Sequence, residues 1–212
     1  ANVIMLSKNE AALDLIYDEI KDKYKTEPMI LKCDLSDLDE SKAQEIANVI
    51  SENYSSLSAL INNAATLGKM SSIQDYDLKS WEKTLRTNLT SAFLLSKYMI
   101  PLLSNSKIPR LIFTSTSVAQ KGNAYWGAYS VSKAGLKALS EILNEELETI
   151  PELKVFNFNP KATRTDMRAL AFPAEDPLQI KDPYQLISYY LWMLSEESST
   201  SSKTYIEFGE EL

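Results

Sequence analysis

Short apolar runs alternate along this chain with longer stretches in which apolar residues recur at helical spacing. A run of four to six apolar residues suits a strand buried on both faces, and strands separated by amphipathic helices are typical of a parallel sheet. We therefore predict one α/β domain over residues 1–212, a doubly wound parallel sheet in three α/β/α layers. The predicted strands cover residues 3–6, 29–33, 57–61, 111–114, 154–159 and 204–208. The predicted helices begin after a capping box of Ser7 and Glu10 and then cover about 40–53, 80–103, 129–148 and 183–195.

The composition argues against several classes of function. A net charge of −7 and a pI near 4.8 leave no basic surface for nucleic acid. The chain has no histidine and a single cysteine, Cys33, so we expect no metal site, no histidine-based triad and no internal disulfide. The longest apolar runs fall well short of the ~20 residues that span a bilayer, and no signal-like segment opens the chain. We expect a cytoplasmic protein with no membrane partner.

Polar clusters follow the predicted strands at the points where the strands end. Because the carboxyl ends of parallel strands meet at one edge of a sheet, these clusters should lie together, where open α/β sheets bind their ligands. The clusters are Ser7-Lys8, Asp34, Asn62-Asn63, Thr114–Ser117 and Asn159–Thr165. Their convergence is stronger evidence for a binding site than any one of them alone.

A tyrosine and a lysine follow the fourth strand at the start of its helix. Tyr129 and Lys133 are four residues apart, which places them on one helix face. A neighbouring cation favours the phenolate and would lower the pKa of Tyr129 from about 10 toward working pH. The pair therefore indicates a general acid for proton transfer. The same spacing at Tyr17 and Lys21 lies on a strongly charged helix face and is more simply a solvated surface.

These residues together resemble the short-chain dehydrogenase/reductase family over essentially the whole chain. The matching segments are Cys33-Asp34-Leu35, Asn62–Ala65, Thr87-Asn88-Leu89, the Tyr129/Lys133 pair and Asn159-Pro160 with Thr163 and Thr165. The later segment from Asn159 to Pro177 is similar more narrowly to the YciK-type, oxoacyl-carrier-protein-reductase-like subgroup. The resemblance implies a Rossmann-like fold, reduction of a small carbonyl compound to an alcohol with a nicotinamide cofactor, and a homodimer or homotetramer.

The resemblance also implies roles for the catalytic residues. Tyr129 would be the acid/base, Lys133 would hold the nicotinamide ribose and lower the pKa of Tyr129, and Asn88 would hold a water in a proton relay. The family's catalytic serine stands thirteen residues before the tyrosine, where this chain has Thr116. We favour Thr116 as the hydroxyl that polarises the substrate carbonyl, with Ser117 as the alternative. Asn88 could instead be an ordinary polar residue of a helix.

A second set of residues would bind the cofactor by the same resemblance. At the end of the first strand, Ser7 and Lys8 replace the acid usual in NAD-binding members, and a hydroxyl with a cation suits the 2′-phosphate of NADP(H). Each position also has a simpler structural explanation, such as a solvated lysine at Lys8 or a helix cap at Thr165. The remaining implied cofactor residues are Asp34, Leu35, Asn63, Ala64, Ala65, Tyr129, Lys133, Pro160, Thr163 and Thr165.

The chain departs from the family pattern in its glycines and at its start. Lys161 and Ala65 stand where glycines are usual, and no glycine-rich turn is found among only five glycines. The sequence begins at what resembles the family's second strand, although the first strand lies mid-sheet. We hypothesise that about 30 residues precede this sequence in the whole protein. Without them, two parallel edges would stay unpaired inside the sheet.

The substrate is not readable from the sequence. Tyr125, Trp126, Arg164, Met167 and Arg168 are expected to line or cover the substrate pocket, and one of the two arginines could meet an acidic group. The alternative to a reductase is a non-catalytic nucleotide-sensing or interaction protein on the same fold.

Overall fold

The computed structural model describes residues 1–212 as six parallel strands and seven α-helices. The strands are β1 (Ile4–Ser7), β2 (Met29–Lys32), β3 (Ala59–Asn62), β4 (Arg110–Thr114), β5 (Lys154–Asn159) and β6 (Tyr205–Glu207). The helices are α1 (Glu10–Tyr24), α2 (Glu40–Asn53), α3 (Leu78–Leu85), α4 (Ser91–Leu103), α5 (Gly127–Glu146), α6 (Asp166–Ala171) and α7 (Ile187–Met193). None of these helices combines the length and hydropathy needed to cross a bilayer.

All six predicted strands are present, and the differences from the sequence prediction lie in the helices. The predicted helix over 80–103 is interrupted by a π-helical turn at Arg86–Thr90 that separates α3 from α4. The predicted helix over 183–195 begins with a 3-10 turn at Pro183–Leu186. The predicted capping box is wrong, because Asn9 caps α1 by accepting from the Ala12 amide, while the Ser7 hydroxyl accepts from the Asn9 amide.

Strands β3 to β6 form the larger sheet, in the order β3-β4-β5-β6. Its central strands are buried on both faces, with Leu111 and Phe113 packed against α4 and α5 and Ile112 packed against the α7 side. This alternation confirms the predicted three layers, because successive side chains of one strand meet helices on opposite faces. The carboxyl ends of β3, β4 and β5 therefore lie side by side.

Strands β1 and β2 form a separate two-stranded parallel sheet. Each of β1 and β3 pairs on one side only, β1 with β2 and β3 with β4. Helices α2 and α4 cover both sheets, since Ile4 of β1 and Leu60 of β3 belong to the same apolar cluster around Met99. A cavity of about 700 Å³, with mostly apolar lining, lies between β1 and β3 and is called the inter-sheet cavity below.

The most buried charge of the fold lies at the start of β4. The Arg110 guanidinium donates to the carbonyls of Met193, Ser195, Glu152 and Pro109 and to two serine hydroxyls, Ser198 and Ser199. Its side chain is fully buried, and none of these partners is a carboxylate. Arg110 thereby ties the central strand to the segment after α7, where the Met193 and Ser195 carbonyls also accept from the Ser198 hydroxyl.

We predict that Arg110→Ala lowers the free energy of unfolding by about 3 kcal/mol or more, because all the hydrogen bonds of one buried guanidinium are lost at once and their acceptors stay buried. Urea denaturation followed by circular dichroism measures this change. The matched control is Lys107→Ala, three residues earlier on the exposed surface, which should stay within about 0.5 kcal/mol of wild type. Equal stabilities of the two variants would contradict the anchoring role of Arg110.

Candidate active site

A cavity of about 950 Å³ opens at the carboxyl ends of β3, β4 and β5 and is called the strand-end cavity below. Its polar lining comes from the ends of these strands and from α5, as the sequence predicted. Its apolar lining comes from the loops before α5, from α6 and from the start of α7. The lining residues used below are Asn63, Ala64, Ala65, Leu67, Thr114, Ser115, Thr116, Ser117, Val118, Trp126, Tyr129, Lys133, Pro160, Lys161, Thr163, Thr165, Met167, Arg168, Ala171, Phe172 and Tyr190.

Tyr129 lies in the first turn of α5 and lines the strand-end cavity, although only 8% of its surface is exposed. Burial raises the pKa of the Tyr129 phenol above its ordinary value of 10.0, and the Thr116 hydroxyl opposes part of that shift. The net direction is opposite to the lowering predicted from the sequence. The reason is that desolvation disfavours the phenolate, and burial cannot be seen in the spacing of residues. In this structure Tyr129 is therefore a protonated phenol at neutral pH.

Lys133 lies one helical turn after Tyr129 and is almost fully buried. Its ammonium donates to the Thr114 carbonyl at 2.7 Å and forms no ion pair with a carboxylate. Burial lowers the pKa of Lys133 from 10.5 to about 8. The helical spacing correctly predicted that both side chains would lie on the face of α5 that meets the end of β4.

The structure distinguishes the two candidate hydroxyls by their positions. Thr116 is in extended conformation beside the Tyr129 phenol, whereas Ser117 begins a 3-10 turn at Ser117–Ala119. Both line the strand-end cavity, but only Thr116 affects the pKa of Tyr129. Ser115 belongs to the predicted Thr114–Ser117 cluster but was given no role of its own, and its buried hydroxyl oxygen has no hydrogen-bond partner although the residue lines the same cavity.

Asn88 is buried within the π-helical turn, and its side chain is fully engaged. Its carbonyl oxygen accepts from the Thr66 amide, and its amide group donates to the Thr66 carbonyl and the Ser132 hydroxyl. Asn88 therefore fixes the loop after β3 to helix α5, one residue before Lys133. This is a positioning role, and the water-holding role stays a prediction.

Four of the expected cofactor residues, Ser7, Lys8, Asp34 and Leu35, lie at or just after the ends of β1 and β2. The Asp34 carboxylate accepts from the amide and hydroxyl of Ser36, and the backbone hydrogen bond is the main reason that its pKa is lowered. The exposed Lys8 ammonium lies 3.4 Å from the Asp34 carboxylate, beside Ser7 at the end of β1. Leu35 packs in the apolar cluster around Leu38. Asp34 is thus held in a turn rather than at a helix cap.

The other expected cofactor residues line the strand-end cavity on the larger sheet. The side-chain amide oxygen of Asn63 accepts from the Thr114 hydroxyl at 2.9 Å, and Ala64 and Ala65 follow it along the lining. Asn63 and Ala64 also line the inter-sheet cavity, so this turn joins the two spaces.

The segment after β5 supplies the opposite lining. Pro160 and Thr163 line the cavity, and the backbone of Thr163 forms an isolated parallel β-bridge with that of Lys181. Thr165 caps α6 by accepting from the Arg168 amide, which matches its simpler structural explanation. Lys161, in the position of the usual glycine, adopts a left-handed φ of 55°, and its ammonium pairs with Glu207.

The predicted substrate residues separate into two groups. Trp126, Met167 and Arg168 line the strand-end cavity, whereas Tyr125 and Arg164 do not. Arg164 pairs with Asp182, and Arg168 forms two hydrogen bonds of 2.6 Å to Glu175. Each guanidinium thus already has a carboxylate partner that sequence spacing did not reveal, and the expectation that one of them meets an acidic substrate stays a prediction.

Two aromatic residues of the lining were not predicted. The Tyr190 hydroxyl on α7 lies 3.2 Å from the Thr114 hydroxyl, and burial raises the pKa of that phenol. The Phe172 ring lies beside Trp126 after the end of α6. Neither was singled out in the sequence, where Phe172 lies in the segment that resembles the YciK-type subgroup and Tyr190 lies in the predicted helix over 183–195.

The polar groups of the cavity fit a nicotinamide dinucleotide. The unpartnered Ser115 hydroxyl and the buried Lys133 ammonium lie in a cavity that has both polar and apolar lining, which suits a ligand that has a hydroxylated sugar next to a flat ring. Lys8, exposed after the end of β1, is a cation that suits a phosphate.

Comparison with known proteins supports this geometry. The sequence model described as short chain dehydrogenase matches residues 1–176. The uncharacterized oxidoreductase YciK of Escherichia coli K12 is 34% identical over 198 residues, which are 93% of this chain and 78% of that protein. A short chain dehydrogenase structure from Escherichia coli CFT073 complexed with NADPH superposes with a TM-score of 0.94 at 32% identity, covering 99% of this chain and 87% of that one. One from Shigella flexneri complexed with NADP has the same TM-score and identity, covering 98% and 86%.

The family match spans most of the chain, the similar folds superpose over nearly all of it, and Tyr129, Lys133 and Thr116 meet at one cavity. This chain belongs to the short-chain dehydrogenase family of oxidoreductases.

Proposed function

We propose that this protein is an NADP(H)-dependent reductase that converts a carbonyl group to an alcohol, with Tyr129 as the proton donor. The observation that carries the proposal is the meeting of a protonated, buried phenol with the Thr116 hydroxyl and the Lys133 ammonium in one cavity. A general acid must hold its proton at working pH and lie where the reacting oxygen can reach it. The raised pKa of Tyr129 meets the first requirement, and its place in the lining supports the second.

The choice of NADP(H) is supported by the relatives that hold NADP or NADPH and by the residues of this chain. Lys8 and Ser7 would bind the 2′-phosphate, and Lys133 with Ser115 would hold the nicotinamide ribose. The bound cofactor would supply the hydride. Lys8 is already paired with Asp34 at 3.4 Å in an exposed position, so a phosphate would compete with a weak surface ion pair.

The chain's own residues would move one proton. The substrate carbonyl oxygen would accept hydrogen bonds from Thr116 and Tyr129, which polarise the carbonyl so that its carbon accepts the hydride. The phenolic O–H bond of Tyr129 then breaks as its proton passes to the carbonyl oxygen, which leaves an alcohol and a phenolate. Lys133 stabilises that phenolate, and a proton from solvent restores the phenol.

We predict that Tyr129→Phe lowers turnover by at least about 10³-fold, because no other group at that position can donate the proton. The binding of NADPH, followed by nicotinamide fluorescence, should stay within about threefold, since a single phenolic oxygen is lost from a large contact surface. Tyr125→Phe removes an exposed phenol four residues earlier and should change neither quantity. Turnover retained in Tyr129→Phe would remove this residue from the mechanism.

We predict that Thr116→Ala lowers kcat by about 10²-fold, whereas Ser117→Ala changes it by less than about threefold, because removing one donor to a developing oxyanion costs that much. Steady-state kinetics of both variants on the same substrate test the assignment. The reverse order of effects would identify Ser117 as the catalytic hydroxyl.

We predict that kcat/KM for NADPH falls as the pH rises through about 8, because Lys133 then loses the charge needed to bind the cofactor and stabilise the phenolate. The pH dependence of folding stability has the opposite sign. The pKa of Lys133 is lower in the folded chain than its ordinary 10.5, so the unfolded chain binds more protons between these values and stability gained from this group rises with pH.

Loss of kcat/KM without loss of stability therefore separates titration of Lys133 from alkaline unfolding. Lys137→Ala, one turn further along α5 and on the surface, serves as the control and should keep the same pH profile. A profile that stays flat up to pH 10 would contradict the role of a charged Lys133.

A further inference from the structure

The strand-end cavity has a strongly asymmetric lining. The hydroxyls of Thr114–Ser117 and Tyr129 and the one buried ammonium, of Lys133, lie together at the end of β4 and the start of α5, and further hydroxyls come from the segment after β5 and from α7. The side that faces them consists of Leu67, Val118, Met167 and Ala171 with the rings of Trp126 and Phe172. A substrate whose carbonyl meets Tyr129 must therefore lay its remaining atoms against an apolar wall.

This inference rests on the proposed function. We propose that the substrate is an uncharged carbonyl compound that carries an aromatic or similarly flat apolar group next to the carbonyl. That group lies against Trp126 and Phe172, which make these two rings determinants of specificity.

The two rings are placed for such a contact. The ring centroid of Trp126 lies 5.7 Å from that of Tyr129 and 5.8 Å from that of Phe172, at tilted angles of 53° and 43°. Trp126 thus links the proton donor to the outer edge of the wall. Tilted aromatic neighbours at this spacing attract a further ring. Phe172 remains 38% exposed, an apolar surface that a bound ring would remove from water.

Arg168 holds the outer ring in place. Its guanidinium lies 3.7 Å from the centroid of the Phe172 ring and is fixed from the other side by two hydrogen bonds to Glu175. The stacked, paired guanidinium restrains the ring without offering a free charge. Arg168 is therefore a positioning residue for Phe172.

The cations of the lining leave no partner for an acidic substrate. Besides Lys133, the lining contains only Lys161 and Arg168 as positive groups, and these pair with Glu207 and Glu175. The Lys133 ammonium already donates a hydrogen bond to the Thr114 carbonyl at the end of β4. A substrate carboxylate beside Trp126 would lose its hydration without gaining an ion pair, which is costly.

The experiment compares three carbonyl compounds with the full chain and NADPH. They are 1-phenylpropane-1,2-dione, its charged analogue phenylglyoxylate, and butane-2,3-dione, which lacks the ring. The expected kcat/KM for the phenyl diketone exceeds that for phenylglyoxylate by about 100-fold and that for butanedione by about 10-fold. Equal or better use of phenylglyoxylate or butanedione would overturn the proposal.

Variants of the wall test the same point. Trp126→Ala and Phe172→Ala should each lower kcat/KM for the phenyl diketone by about 10-fold, mainly through KM, while butanedione stays within about threefold. Tyr24→Ala, which removes an exposed ring at the end of α1, should leave all three compounds unchanged. Equal losses for the phenyl diketone and butanedione would show that the rings do not determine specificity.

A binding measurement separates failure of this proposal from failure of the proposed function. Saturation-transfer NMR should show contact with the ring protons of the phenyl diketone in the wild-type chain and a weaker signal in Trp126→Ala. Reduction of phenylglyoxylate in preference would leave the reductase function standing and refute the substrate class. Ring contact without any oxidation of NADPH would refute the reductase function alone. Absence of both ring contact and turnover of the phenyl diketone would overturn the substrate class.

Discussion

The hydrogen bond from the Lys133 ammonium to the Thr114 carbonyl is the contact on which the catalytic geometry depends. It joins α5 to the end of β4, so that the first turn of the helix brings Tyr129 beside Thr116. A buried ammonium needs an acceptor, and the last carbonyl of a parallel strand is a fixed one. Asn88 supports the same junction by binding Ser132, the residue before Lys133. The loop after β3, the helix and the strand therefore meet at one point.

Burial of this junction has opposite consequences for its two titratable groups. It raises the pKa of Tyr129 and lowers that of Lys133. The ligand-free site therefore holds a protonated phenol beside an ammonium that loses its proton more easily than a lysine in water. At neutral pH only the shift of Lys133 costs folding free energy, because the charged lysine is kept out of water whereas the phenol of Tyr129 is uncharged in both the folded and the unfolded chain. Stability given up at a reactive centre is a common feature of enzymes, since the same desolvation strengthens charge interactions with a ligand.

The sequence was informative where local pattern alone determines structure. Continuous apolar runs predicted every strand, and the spacing of Tyr129 and Lys133 predicted a shared helix face that points to the end of β4. The cap of α1 was missed because Asn9 and Ser7 are both good caps, and only the backbone shows which one is used. The partners of Arg110 were missed because most of them are distant in sequence, such as Ser195. The partner of Arg168 was missed because Glu175 approaches it only through the fold of the loop after α6. The pKa of Tyr129 was predicted in the wrong direction because burial depends on the whole fold.

The helices connect the first two strands to the rest of the fold by polar as well as apolar contacts. Arg86, at the start of the π-helical turn, donates to the Ser36 and Leu38 carbonyls, and Lys97 and Tyr98 of α4 both donate to the Glu40 carboxylate of α2. Apolar packing between α2 and α4 adds to these hydrogen bonds. Lys8 and Asp34 lie on the first sheet, and Asn63 and Lys133 lie on or against the second. A nucleotide that touches both sets would add a further link between the two sheets, so its binding would stabilise their association.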